Sequence, residues 1–248
     1  ASDLGSSLKD KRRQSGRYQC LAALYKDQKM NLDVLKQKIN QDGRFEVFYN
    51  ELIKRNQKVN LTAITEKKDV YLKHFLDSAA ACDFLAPQSY VLDIGCGAGF
   101  PSIPLKLLRP DLKFLLIDSS NKKINFVNHI IKSLGLSDIR ATHCRVEDLK
   151  TKDFDYALAR AVAPLNVLCE YALPYLILGG RAIFYKSDIS QELSAALNAI
   201  GFLGGQIENI IEFHLEQDIK RKLVVIQKIK PSPDGYPRPF NKPRKNPL

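Results

Sequence analysis

The apolar run Tyr90-Val-Leu-Asp-Ile94 breaks into Gly95-Cys-Gly-Ala-Gly99 and opens through Phe100-Pro101 into a helical pattern. A strand that turns on three glycines spaced G-x-G-x-G feeds a helix packed on its own sheet, which restricts the chain to an α/β architecture. Glycine at 95, 97 and 99 permits positive φ and leaves the main chain bare toward a flat ligand. The spacing also excludes a dinucleotide fingerprint. G-x-G-x-x-G would place its third glycine at position 100, where the bulky Phe100 stands. The next apolar run, Lys113-Phe-Leu-Leu-Ile-Asp118, ends on an acid 23 residues after Gly95. A carboxylate at that strand end can accept both hydroxyls of a ribose.

Alternation of strand and helix patterns continues to residue 228. Strands are expected near 90–94, 113–118, 139–144, 154–159, 181–186, 207–213 and 222–228. Such alternation implies a mostly parallel sheet of seven strands, with helices on both faces. The last two strands have no helical segment between them and read as antiparallel neighbours, joined by a turn around residues 217–221. Helix 120–134 carries a stripe of Ile124, Val127, Ile131 and Leu134. Asp188 reads as the N-cap of a later helix, with Gln191 in the capping-box position. Ahead of the sheet, Leu32, Leu35, Ile39, Phe45, Phe48 and Leu52 recur at helical spacing, broken at Asp42-Gly43 and by the loop Asn60-Leu-Thr-Ala-Ile-Thr65. The expected organisation is a basic, flexible N-terminal extension (1–29), a helical cap of about three helices (30–85), a Rossmann-like domain (86–230) and a basic, extended tail (231–248). Six prolines between Pro231 and Pro247 argue against further sheet or helix in the tail.

The formal charge of +11 is concentrated at the two ends. Residues 1–29 carry seven Lys/Arg and three Asp, and residues 220–248 carry nine Lys/Arg and one Asp, leaving the middle about neutral. That distribution suits arms for a polyanion. No apolar run approaches the roughly 18 residues of a membrane span, and the first 30 residues lack a signal-peptide pattern, so a cytoplasmic monomer is expected. The five cysteines form no C-x-x-C pair and the four histidines show no ligand spacing, so no metal is expected.

Glycine loop plus acid resemble the S-adenosylmethionine site of class I Rossmann-like methyltransferases more than a nicotinamide site. The series Asp93-Ile-Gly-Cys-Gly-Ala-Gly-Phe-Pro-Ser-Ile-Pro-Leu105, Arg109-Pro-Asp-Leu112, Leu116-Ile-Asp-Ser119 and Ala159-Arg-Ala-Val162 resembles the RsmG/GidB family of 16S ribosomal RNA guanine-N7 methyltransferases. Asn60-Leu-Thr62, His74-Phe-Leu-Asp-Ser78, Arg221-Lys-Leu-Val-Val-Ile226, Tyr236-Pro-Arg238 and Asn246-Pro-Leu248 extend the resemblance over about residues 32–248. Ser102 and Ser187 depart from the family's usual glycine, and Arg55 from its tryptophan.

The resemblance implies cofactor contacts at Gly95, Phe100, Val146, Glu147 and Arg160, to which the residues themselves add Gly97, Gly99 and Asp118. It implies a substrate rim of Asn60, His74, Asp77, Arg160 and Lys186. Arg221, Lys222, Arg238, Arg244 and Lys245 are candidates for RNA phosphates, and Tyr236 and Phe240 for stacking on bases. Guanine N7 carries an exposed lone pair, so in-line attack on a methyl group requires no general base. The implied partner is small-subunit ribosomal RNA or the assembling small subunit. A small-molecule methyltransferase and a non-catalytic assembly factor on the same scaffold are the alternatives.

Overall fold

The structure, a computed structural model, describes residues 30–216 and 218–248. The N-terminal extension 1–29 and position 217 of the expected final turn therefore lie outside the described residues. Helix α1 (Leu32–Gln41) starts where the Asn31 side chain accepts the Val34 amide, and α2 (Gly43–Asn56) where Asp42 accepts the Arg44 amide. Each acid or amide satisfies a donor that the first helical turn leaves orphaned. The third cap helix, α3, runs from Lys67–Val70 through a widened π segment, Tyr71–Leu76, to Asp77–Ala79.

The sheet comprises β1 (Tyr90–Ile94), β2 (Lys113–Asp118), β3 (Ile139–His143), β4 (Phe154–Arg160), β5 (Leu176–Lys186), β6 (Gly205–His214) and β7 (Lys220–Lys228). Spatial order is β3-β2-β1-β4-β5-β7-β6. The first five strands are parallel, and β7 inserts antiparallel between β5 and β6. Helices α4 (Ser102–Leu108), α5 (Asn121–Ser133), α6 (Leu165–Ala172) and α7 (Leu193–Phe202) fill the crossovers.

Alternate residues of each central strand feed two separate cores, as a doubly covered parallel sheet requires. Val91, Phe114, Leu116, Leu158 and Ile183 pack with α4, α5 and the cap, where Phe48 stacks on Phe75 and Phe100. Leu92, Ile94, Leu115, Ala157 and Phe184 pack with α6 and α7. The buried stripe of α5 is Ile124, Phe126, Val127 and Ile130, rotated from the expected one, and Ile131 and Leu134 are only partly covered.

Two local expectations are corrected. Helix α7 begins at Leu193, and Asp188 instead closes a tight turn by accepting the Ser190 amide and hydroxyl. Glu192 is the residue preceding that helix, and its carboxylate is taken by the Leu165 amide and by Lys186. The C-terminal tail is not simply extended. It folds back on α6 and ends in a single helical turn, α8 (Lys242–Lys245), because Arg238 donates three hydrogen bonds to the buried Glu170 carboxylate.

Phe48 has no exposed surface and joins the cap to the sheet through Phe75, Phe100 and Phe126. Phe48→Ala is expected to lower the unfolding free energy by about 3 to 5 kcal/mol, read from urea denaturation. A loss below about 1 kcal/mol would contradict this packing role.

Candidate cofactor-binding site

Strand order reverses between β1 and β4, and ligand crevices of open α/β sheets lie beyond the carboxyl ends of the strands at such a point. A cavity of about 250 Å³ occupies that place, lined by Ile94, Gly95, Asp118, Val146, Glu147, Ala161 and Val162 among others. Gly95, Gly97 and Gly99 all have positive φ. Each glycine is there for a different reason. A Cβ on Gly95 would lie 2.7 Å from Val162 Cγ2, and one on Gly99 would lie 2.6 Å from Ile103 Cγ1. At Gly97 there is space, and its amide donates to Asp118 Oδ2 at 3.0 Å.

Asp118 Oδ1 accepts the Ser120 amide at 2.8 Å, so each carboxylate oxygen holds one main-chain donor and keeps a further lone pair for a ligand. The neighbouring acid on β1, Asp93, is fully buried under the loop. Neither of its oxygens, nor the Ser102 hydroxyl, has a hydrogen-bond partner of good geometry. Burial pushes the Asp93 carboxyl up to about 7, opposed by Ser102 and Arg160 and reinforced by Asp118.

Arg160 and the cap form a second cluster. Arg160 Nη1 donates to Asp77 Oδ2 at 2.9 Å and to the Lys73 carbonyl at 3.0 Å, and Nη2 reaches His74 Nδ1 at 3.1 Å. The same His74 Nδ1 lies 3.2 Å from the Lys73 carbonyl, and Nε2 lies 2.8 Å from Thr62 Oγ1. Burial, then the Arg160 charge, lowers the His74 pKa to about 4. Arg221 Nε approaches the other Asp77 oxygen at 3.4 Å. Burial still raises the Asp77 carboxyl above its ordinary range against the pull of both arginines. Phe100 turns into this cluster, its ring stacked on His74 at 4.6 Å and covered by Arg160 at 5.1 Å.

The expected site residues thus divide. Gly95, Asp118, Val146 and Glu147 line the cavity, and Gly97 and Gly99 shape its loop. Phe100, Arg160, His74 and Asp77 meet one another at the cap, outside the residues that line the cavity. Asn60 is exposed on a loop that Asn56 ties down by accepting the Leu61 and Thr62 amides.

Several expected cations already have partners within the chain. Lys186 bonds the Ala163 carbonyl and Glu192, Lys222 pairs with Glu212 and Arg238 with Glu170. Arg221 is shared with Asp77, and Arg244 donates to the Val162 carbonyl at the cavity wall. Lys245 is exposed, with no ion pair among the described residues. Tyr236 packs edge-on against Phe202, whereas Phe240 is 83% exposed.

Sequence reasoning missed Ala161, Val162, Tyr171, Asn241 and Arg244 as cavity walls. The first two follow the carboxyl end of β4, a position the strand-order rule marks. Tyr171, Asn241 and Arg244 arrive by tertiary folding and leave no local signal. Among the described residues no cluster of metal-ligating side chains occurs, and no helix is long and apolar enough to cross a membrane.

Sheet order, glycine loop and strand-end acid together define a Rossmann-like, class I S-adenosylmethionine-dependent methyltransferase. The same fold is seen in TrmN from Thermus thermophilus, with a TM-score of 0.51 and 18% identity over 73% of this chain and 52% of that one. It recurs in a geranyl diphosphate methyltransferase, with a TM-score of 0.50 and 14% identity over 69% of this chain and 86% of that one. The family model for rRNA small subunit methyltransferase G, GidB, matches residues 41–224, and the chain belongs to that family. The ribosomal RNA small subunit methyltransferase G of Desulforamulus reducens is 48% identical, covering 84% of this chain and 91% of its own. That of Acetivibrio thermocellus is 44% identical, covering 81% and 86%.

The residues present fit the cofactor: a cavity at the strand ends where the bare Gly95 lets Val162 close in beside it, and an acid with lone pairs to spare for a ribose. Gly95, Asp118, Val146 and Glu147 are the residues that would hold it.

Asp93 generates a pH prediction. Its folded pKa lies above the unfolded value, so its contribution to stability is full at low pH and is lost as pH rises through about 7. Asp93→Asn removes the titration. Between pH 5 and 8 the variant is expected to gain on the order of 1 to 4 kcal/mol relative to the parent in urea denaturation. Parallel pH profiles for the two proteins would contradict the buried, raised carboxyl.

Proposed function

We propose that this methyltransferase acts on N7 of a guanine in small-subunit ribosomal RNA, in the cytoplasm. When bound, S-adenosylmethionine supplies a methyl group on a sulfonium centre, electrophilic enough for guanine N7 to take without a base. The observation that carries the reading is membership of this family, in a chain whose cavity-wall thiol is kept protonated by burial and neighbouring acids. Cys144, the thiol in the cavity wall, is raised by burial and by Asp148 and Glu147. Cys96 and Cys169 are fully buried, and burial pushes their thiols up further. A raised thiol is a poor nucleophile at neutral pH. His74, which lies outside the cavity lining, is held by Thr62 and Arg160. Acceptors that need a covalent thiolate partner are poorly served by such a site. A purine N7 is served well.

The residues divide the remaining work. Gly95 and the 95–99 loop present bare main chain, and Asp118 receives a ribose. Val146 and Glu147 wall the base of the cofactor, combining an apolar surface with an acceptor. Arg160 acts as a positioning residue: it joins the end of β4 to the cap through Asp77, His74 and the Lys73 carbonyl. Arg160 and Arg221 share the single acid Asp77, so the cap boundary carries an excess of positive charge suited to a phosphate. The relatives' name, ribosomal RNA small subunit methyltransferase G, supports the RNA as substrate. In an A-form helix the major groove is too deep and narrow for side chains, so the guanine is expected in a loop or splayed from its stack.

Nucleoside mass spectrometry of 16S ribosomal RNA, from cells with and without the protein, tests this. The depleted sample is expected to lose one 7-methylguanosine, and an unchanged count would overturn the assignment. At the cofactor, Asp118→Ala is expected to weaken S-adenosylmethionine binding by about 1 to 3 kcal/mol in calorimetry. Unchanged affinity would remove Asp118 from the site.

A further inference from the structure

The two walls of the cavity come from strands at different places in the sheet. Glu147 follows β3, at one edge, and Val162 follows β4, on the far side of β1 and β2. The C-terminal segment connects them. The Asn241 amide donates to Glu147 Oε1 at 3.2 Å, and Arg244 Nη2 donates to the Val162 carbonyl at 2.9 Å. Tyr171 of α6 reaches the Asn241 side-chain oxygen at 3.4 Å. Asn241 and Arg244 are both cavity-lining residues.

The segment is built into place. Arg238 donates its amide, Nε and Nη2 to Glu170 at 2.8, 2.9 and 2.7 Å, and the Glu170 side chain is only 1% exposed. A buried carboxylate left without that partner would be costly, so the tail is anchored ahead of the cavity. Phe240 and Asn241 then take consecutive left-handed conformations, with φ of 60° and 58°. Such residues persist where the surroundings over-determine them. The turn directs Phe240 to solvent and brings Asn241 to the cavity.

We infer that Asn241 and Arg244 are cofactor-binding residues that close the nucleoside end of the site. The inference rests on the cavity being the S-adenosylmethionine site. Arg244 also hydrogen-bonds Tyr171, which with the Val162 carbonyl leaves part of its five-donor fork free, and the Asn241 side chain adds an amide, so the segment offers donors matched to the acceptors of a ribose and an adenine. The amino-acid end of the cofactor lies with the glycine loop and is not the segment's partner.

Calorimetric titration of the full chain tests this with two ligands. One is S-adenosylhomocysteine, and the other is methylthioadenosine, which keeps the nucleoside and lacks the amino acid. Arg244→Ala is expected to raise Kd at least tenfold for both. Asn241→Gly, which keeps the left-handed backbone, is expected to raise both severalfold. Lys242→Ala, on the same helical turn but outside the cavity lining, is expected to stay within twofold. Melting temperatures establish that each variant is folded; if Arg244→Ala is not, Asn241→Gly decides. Affinities within twofold of the parent in the folded variants would overturn the proposal. A loss confined to S-adenosylhomocysteine would overturn the assignment to the nucleoside end. Absence of heat with the unaltered protein would instead remove the cofactor reading on which this one stands.

Discussion

The approach of Val162 to Gly95 is the contact on which the site depends. With any Cβ at position 95, the side chain would stand 2.7 Å from a Val162 methyl, closer than van der Waals packing permits. Two loops that leave adjacent parallel strands in the same direction can therefore close on each other only because one is bare backbone. That closure makes the floor of the cavity. The Val162 carbonyl then serves as the post to which Arg244 is tied, so the C-terminal segment inherits its position from the same glycine.

A second organising group is the Arg160 guanidinium, which joins sheet and cap through three acceptors of different kinds: a carboxylate, a carbonyl and an imidazole. Each acceptor lies on or beside the π-widened part of α3, the type of helix distortion that tends to accompany functional sites. The cluster holds the His74 ring and places a cation over the Phe100 ring. Cap and catalytic sheet are thus coupled by polar groups as well as by the stacked phenyl rings of the core.

Charge shows why counting residues along a chain overstates what a surface offers. The basic C-terminal stretch reads as a polyanion arm, yet Lys222 pairs with Glu212 at the surface, Arg238 with the buried Glu170, and the exposed Arg244 bonds the Val162 carbonyl. Lys228 is buried against the Leu203 carbonyl with its pKa lowered to about 8 by desolvation. Arg238 and Arg244 hold the tail to the domain, so part of the formal charge already has a partner within the fold.

The strand–helix alternation, the glycine loop, Asp118 and the cap periodicity were all legible in the sequence, because each depends on contacts or conformations local to a few residues. Hydrophobic period, positive φ and strand-end acids are properties of short segments, and the parallel sheet follows from their order. The start of α7 was misread because Asp188 satisfies its lone pairs in a turn as readily as at a helix cap. The path of the tail is not legible for a different reason: it is set by distant partners, among them the buried acid Glu170, some 68 positions away in the chain, Glu147 and the Val162 carbonyl. Sequence alone determined which kind of cofactor crevice the chain builds and at which strand ends. Only the tertiary structure decided which cations remain free, which way Phe100 turns and that Asn241 and Arg244 reach the crevice, since these depend on distant partners whose desolvation no local pattern records.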